Sequence, residues 1–322
     1  MRGTAAAAVA ICALLAACAG ADPAESGTAT EEGSAAASGS VSGSPSSRPT
    51  QVPSPIAPPA VDPELRDLAE QLAGETRVPP RSEPVLGGDV SWPQCPPGMG
   101  IPEKRSHGGP MPVDDAEYVV VGLTNGPGFT PNPCLAEQVA WVRERSLLIS
   151  AYAVASWPGE EVVRELGDDG PFDGGTRLGA LRNAGYQQAL FNVENMRRAD
   201  FPTPIVWIDV EPVPDFDWPA DLTENAAVVE GVAQGYRDAG YAIGVYSTPF
   251  LWEEIVGGFE LGVPEWRAAG QTSGEEALAR CGDEWVIQGG EAVLGQWVEA
   301  DRDMNWTCPG ISADLGRWFA QT

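Results

Sequence analysis

From Val85 onward, short apolar runs rich in β-branched residues alternate with stretches of helical periodicity. That alternation confines the chain to an α/β fold with a largely parallel sheet, because parallel strands need helical crossovers between them. Strands are expected at Gly87–Trp92, Tyr118–Thr124 (YVVVGLT), Leu147–Ser156, Ile205–Ile208, Ala242–Ser247 (AIGVYS) and Val263–Ala268. Two less distinct ones are expected around Trp285–Gln288 and Val293–Val298. Asn132-Pro133 caps a helix with Leu135, Val139 and Val142 on one face. A long helix is expected over about 176–199, and Asp221 with Glu224 forms a capping-box pattern before Val228, Val229, Val232 and Tyr236. Eight strands in roughly 235 residues is the size of a TIM-type (β/α) barrel. Short connections in the last third predict few or degraded helices there.

One strand ends unusually. In Pro204-Ile-Val-Trp-Ile-Asp-Val-Glu-Pro212, Asp209 and Glu211 leave a buried strand two residues apart, hence on one face, with no Lys or Arg adjoining them. Burying unpaired charge is costly. Loop N–H groups and a distant arginine would satisfy the pair structurally, whereas chemistry at the C-terminal ends of barrel strands would explain it functionally.

Arg2 and the apolar run Ala5–Ala17 read as an export signal, too short to persist as a membrane span. The run ends Leu15-Ala16-Ala17-Cys18, a bacterial lipobox pattern in which Cys18 is lipidated and residues 1–18 form the lipoprotein signal. The product is then expected on the outer face of the cytoplasmic membrane, held through its lipid anchor. Cleavage after Ala19-Gly20-Ala21 would instead give a secreted protein. Residues 19–84 read as a disordered Pro/Ser/Gly-rich tether. A short amphipathic helix is expected within it near 62–73, where Leu65, Leu68, Ala69 and Leu72 share a face. The barrel domain occupies 85–322.

A formal net charge of −27, with Lys104 the only lysine, excludes nucleic acid as a partner and opposes docking on anionic surfaces by charge. A wall ligand would be gripped by shape, stacking and hydrogen bonds. Beyond Cys12 and Cys18, the cysteines are Cys95, Cys134, Cys281 and Cys308, which allow three disulfide connectivities in an oxidising compartment. With no CxxC and a single histidine, His107, neither a zinc site nor any cofactor is expected. His107 lies in a Gly/Pro loop and no GxSxG elbow is present, which argues against a serine triad.

The order of motifs resembles the family 25 glycoside hydrolases, lysozyme-type muramidases on an irregular (β/α)5(β)3 barrel. The resemblance rests on Gly88-Asp89-Val90-Ser91, Thr124-Asn125-Gly126, Ser150-Ala151-Tyr152 and Trp207-Ile208-Asp209-Val210-Glu211. Gly244-Val245-Tyr246-Ser247, Glu265-Trp266, Gly295-Gln296-Trp297 and Asp303-Met304-Asn305 continue it. It covers about residues 85–320 and extends to related barrel proteins of actinobacterial envelopes. It implies Glu211 as general acid/base, Asp209 as an orienting or polarising helper, and Asp89 and Asp303 as the other carboxylates of the cluster. Where the family often has Glu after the second-strand Thr this chain has Asn125, and Ala153 and Val154 follow Tyr152 in place of aromatic or His residues. The barrel that the resemblance implies would also pair Cys95 with Cys134, on neighbouring loops at one end, and Cys281 with Cys308, which bracket the last strands.

Such a cluster suits glycosidic hydrolysis, in which one carboxylic acid protonates the leaving oxygen and negative charge steadies an oxocarbenium-like state. Like charges close together raise one pKa and keep a proton available near neutral pH. With an N-acetylated sugar the substrate amide is a competent nucleophile, oriented by Asp209 or Asp303. Tyr152, Tyr246, Trp92, Trp266 and Trp297 are the candidate sugar-binding residues, from a chain with eleven tryptophans; Tyr246 would equally serve to close the barrel mouth. The expected function is a monomeric, exported, membrane-anchored hydrolase of N-acetylated cell-wall glycan. The alternative is an inactive envelope lipoprotein whose groove binds glycan or a protein partner.

Overall fold

The computed structural model describes residues 78–322. The lipobox with Cys18, most of the tether and the helix expected near 62–73 lie outside the described residues. Eight strands close into one barrel in sequence order: β1 Leu86–Val90, β2 Tyr118–Gly122, β3 Leu148–Val154, β4 Ile205–Asp209, β5 Ala242–Ser247, β6 Glu265–Gln271, β7 Ala292–Glu299 and β8 Arg302–Thr307. Neighbours from β1 to β7 pair in parallel, and β8 runs antiparallel to both β7 and β1. The α-helices are α1 Leu135–Glu144, α2 Gly159–Leu166, α3 Arg177–Arg198, α4 Leu222–Asp238, α5 Pro249–Val256 and α6 Gly274–Ala279. The molecule is thus an α/β protein, an irregular TIM-type barrel. Its late helices are short, and among the described residues none is long and apolar enough to cross a membrane.

Local sequence explains the elements. Thr176 caps α3 by accepting from Gly179 N, and Asp221 caps α4 by accepting from Thr223 N and Glu224 N. Strand residues alternate between two cores. Val119, Val121, Val206, Ile208 and Val245 face outward against Val139, Val193 and Val232 of the helices. Tyr118, Val120, Ile205, Trp207 and Trp266 fill the barrel. Burying such side chains contributes roughly 1.5–3 kcal/mol each.

Three of the interior rings fit because each faces a glycine in register. Tyr118 pairs with Gly87, Tyr152 with Gly122 and Trp207 with Gly244. A Cβ on any of the three glycines would fall 2.3–2.7 Å from ring atoms. At the strands' N-terminal end, Trp318 stacks on Trp207 and Phe319 packs on Tyr118, with centroids 6.3 and 4.3 Å apart. The barrel is therefore stoppered below.

Three expectations need correction. Trp285–Gln288 is not a strand: a 3-10 turn covers Asp283–Trp285, and the N–H groups of Ile287 and Gln288 bond to the Glu265 carboxylate, not to a ladder. The strand expected as the eighth is β7, and the barrel is closed by Arg302–Thr307. Within residues 78–84, expected as tether, two positions are tied to the barrel domain. Val78 is buried, and Arg81 exchanges backbone and side-chain hydrogen bonds with Ser312.

Candidate active site

A cleft of about 270 Å³ opens at the C-terminal ends of the parallel strands, and Asp89, Asp209, Glu211 and Asp303 all line it. The topology brings them together. Asp89 lies on β1 and Asp303 on β8, directly opposite each other in register. Asp209 ends β4 beside Tyr246 of β5. Glu211 follows on a segment pinned at three points. Val210 N donates to Tyr246 O (3.0 Å), Ser247 Oγ donates to Val210 O (2.7 Å), and Trp218 Nε1 donates to Glu211 O (3.1 Å).

The surroundings of each carboxyl differ. Asp89 Oδ2 accepts from Asn305 Nδ2 at 2.7 Å and from Gln296 Nε2 at 3.0 Å. Each amide is itself held by a ring donor: Tyr246 Oη donates to Gln296 Oε1 and Trp266 Nε1 donates to Asn305 Oδ1, both at 2.7 Å. Two relays thus converge on one oxygen. Burial nevertheless pushes Asp89 well above the usual carboxylate range, aided by the negative charge of Asp303 and only partly countered by the two amides. Asp209 is also pushed well up, by burial and then by Glu211 and Asp89, and its Oδ1 has no hydrogen-bond partner among the described residues.

Glu211 is half-buried and raised to about 7 by burial and the charge of Asp303, with Lys104 acting in the opposite direction. Burial raises Asp303 to about 6. Among the described residues no arginine pairs with the cluster: Arg267 is bonded to Glu265, and Arg302 Nε donates to Met111 O. Glu211, raised to about 7 and only half-buried, holds a proton near neutrality and can deliver it to a bound leaving group.

Of the aromatic candidates, Trp92, Tyr152, Tyr246 and Trp266 line the cleft. Trp266 is buried beneath it, edge-on to Tyr152 and tilted against Tyr246, so it supports the floor. Trp297 does not line the cleft. Its neighbour Gln296 faces the barrel, so alternation turns Trp297 outward, where it stacks on Trp306 at 6.0 Å and packs against Ala277 and Met304. Cys95 is bonded to Cys134 and Cys281 to Cys308.

Sequence reasoning assigned no role to Gln296, Asn305 or Lys104. Asn305 was open to inference, because it stands two residues from Asp303 and shares its face. Gln296 required the strand phase. Lys104, unique in its type, lies in a loop whose direction local pattern does not give.

Residues 179–277 match the family model described as "Lysozyme-like protein 1". Among curated proteins, "Probable GH family 25 lysozyme 4" of Dictyostelium discoideum is 38% identical over 66 residues, 20% of this chain and 30% of that protein. "Lysozyme-like protein 5" of Caenorhabditis elegans is 29% identical over 70 residues, 22% and 31% of the two chains. The aligned stretch thus spans under a third of each relative's length. Among solved structures, the bacterial lysozyme from Streptomyces coelicolor superposes with a TM-score of 0.47 at 13% identity, covering 74% of this chain and 98% of that one. A family GH25 lysozyme from Aspergillus fumigatus gives 0.42 at 15%, covering 70% and 94%.

Proposed function

We propose that the chain is a glycoside hydrolase of the lysozyme type that cleaves N-acetylated cell-wall glycan, with Glu211 as the general acid. The carrying observation is the convergence of four carboxyls in one open cleft, with Glu211 raised to about 7 and paired with no arginine among the described residues. The partial match to lysozyme-like proteins supports the same reading.

In this mechanism Glu211 protonates the glycosidic oxygen as the bond breaks. Asp209 or Asp303 accepts the N–H of the substrate's acetamide and aims its oxygen at the anomeric carbon. Asp89 is fixed by its two amide relays at the floor of the cleft. Carboxyls held partly protonated ionise most readily against a new positive charge. The cluster therefore favours the oxocarbenium-like state over the neutral ground state.

Incubating the purified full chain with peptidoglycan and related N-acetylated glycans, and detecting new reducing ends by mass spectrometry, tests the reading. Absence of cleavage on all of them leaves the binding-protein alternative in its place. If cleavage occurs, activity follows a narrow bell, with a rising limb near 6 as Asp303 ionises and a falling limb near 7 as Glu211 loses its proton. Lipidation at Cys18 and residence on the outer membrane face belong to the same proposal. Metabolic labelling with a fatty acid, present in the parent and absent from Cys18→Ala, checks them.

A further inference from the structure

The long connection between β1 and β2 carries the chain's only lysine to the mouth of the cleft. The loop is built to hold it there. Buried Asn125, just past β2, accepts from Ile101 N at 2.8 Å and donates through Nδ2 to Lys104 O at 3.0 Å. Ser106 Oγ donates to Pro93 O at 2.8 Å, and the Cys95–Cys134 bond fixes the start of the loop to the region after β2. Neighbouring Arg105 turns back on the loop, donating to Gly98 O at 2.8 Å.

The Lys104 stem lies over Gly126, whose φ of 91° suits glycine. A Cβ on Gly126 would sit 3.1 Å from Lys104 Cγ, so a side chain there would displace the stem. Among the described residues Lys104 forms no ion pair, in a chain with 46 acidic residues. An ammonium held at the mouth of the cleft and bound in no ion pair offers its three donors to an incoming anion.

We propose that Lys104 receives a carboxylate borne on a substituent of the bound sugar, so that the cleft selects acidic over neutral N-acetylated glycan. This deepens the glycosidase reading and rests on it for the class of ligand. The carboxylate sits either on an ether-linked acid of the sugar itself or on a peptide attached through it. Both sources present the same planar anion to a cation with three donors.

The test is binding by calorimetry to the full chain carrying Glu211→Gln, which prevents turnover. Three probes separate the sources: an N-acetylmuramic-acid disaccharide with its free carboxylate, the same disaccharide as its neutral methylamide, and that disaccharide bearing a short peptide with a free carboxylate. At least one anionic probe is expected to bind about tenfold tighter than the neutral one, the scale of a charge-assisted hydrogen bond. The preference disappears in Lys104→Met, persists in Lys104→Arg and weakens with added salt.

Equal affinities, a preference that survives Lys104→Met, or no binding of any probe overturns the inference. So does a Lys104→Met variant that moves only the pH profile, since Lys104 would then merely tune Glu211. Lysine-dependent preference without cleavage by the parent counts against the hydrolase and supports this inference. Cleavage without preference does the reverse.

Discussion

Two pairs of charged residues with the same i, i+2 spacing stand on the one barrel: Glu265 with Arg267, and Asp209 with Glu211. The first pair is saturated. Glu265 Oε1 accepts from the N–H groups of Gln288 and Gly290 at 2.8 and 2.9 Å, and Oε2 accepts from Ile287 N and Arg267 Nε. Arg267 spends its remaining donors on the carbonyls of Arg280 and Gly282. Among the described residues the second pair forms no ion pair, and Asp209 Oδ1 has no donor. Both cases involve removing carboxyls from water. In the first the protein compensates in full and gains an ordered 280–290 loop. In the second it leaves the groups short of partners, and the deficit appears as raised proton affinity.

The sharpest break of this comparison is Glu211→Gln. Removing a general acid is expected to lower glycan turnover by about 10²–10⁴-fold, read as reducing-end release, while the protein melts no lower than the parent. Unchanged turnover would remove Glu211 from its role. Next, Glu265→Ala strands the Arg267 guanidinium and is expected to cost about 3–5 kcal/mol, measured by urea denaturation. A loss below 1 kcal/mol would mean the saturated pair is not structural.

A smaller effect has a definite sign. Glu211 is raised from 4.5 to about 7 in the fold, so the folded state binds its proton more tightly than the unfolded chain does. Its contribution is intact below about pH 4.5 and is lost as pH rises to about 7, then stays constant. Glu211→Gln abolishes this titration. It should therefore stabilise the protein at pH 8 relative to pH 4 by about 1–3 kcal/mol more than in the parent, seen in paired thermal melts. Least of all, Trp297→Phe should cost under about 1.5 kcal/mol and leave glycan affinity unchanged, because the ring packs outside the barrel. A clear loss of affinity would restore Trp297 to the cleft.

What the sequence revealed followed from local pattern. The bounds of β5 were legible to the residue, and the Asp209/Glu211 strand end was legible as a candidate site because apolar periodicity and charge placement are both local. The closing strand was not. Arg302–Thr307 (RDMNWT) has no apolar β-branched run, and it is a strand only because β1 and β7 offer it edges. Conversely, Val286 and Ile287 suggested a strand where the Glu265 carboxylate takes the backbone donors instead. That Gln296 and not Trp297 lines the cleft is a matter of strand phase, which register alone decides.

The seam between β1 and β8 has a further consequence. Asp89 and its partner Asn305 stand 216 positions apart, and Asp303 faces Asp89 across the same seam. A ribosome delivers the first long before the others. A partly made chain can display Glu211 and Asp89, yet it lacks the amide that steadies one and the acid that raises the other. Chemistry therefore waits for closure of the circle, and any activity measured in this protein doubles as a report that the barrel's first and last strands have met.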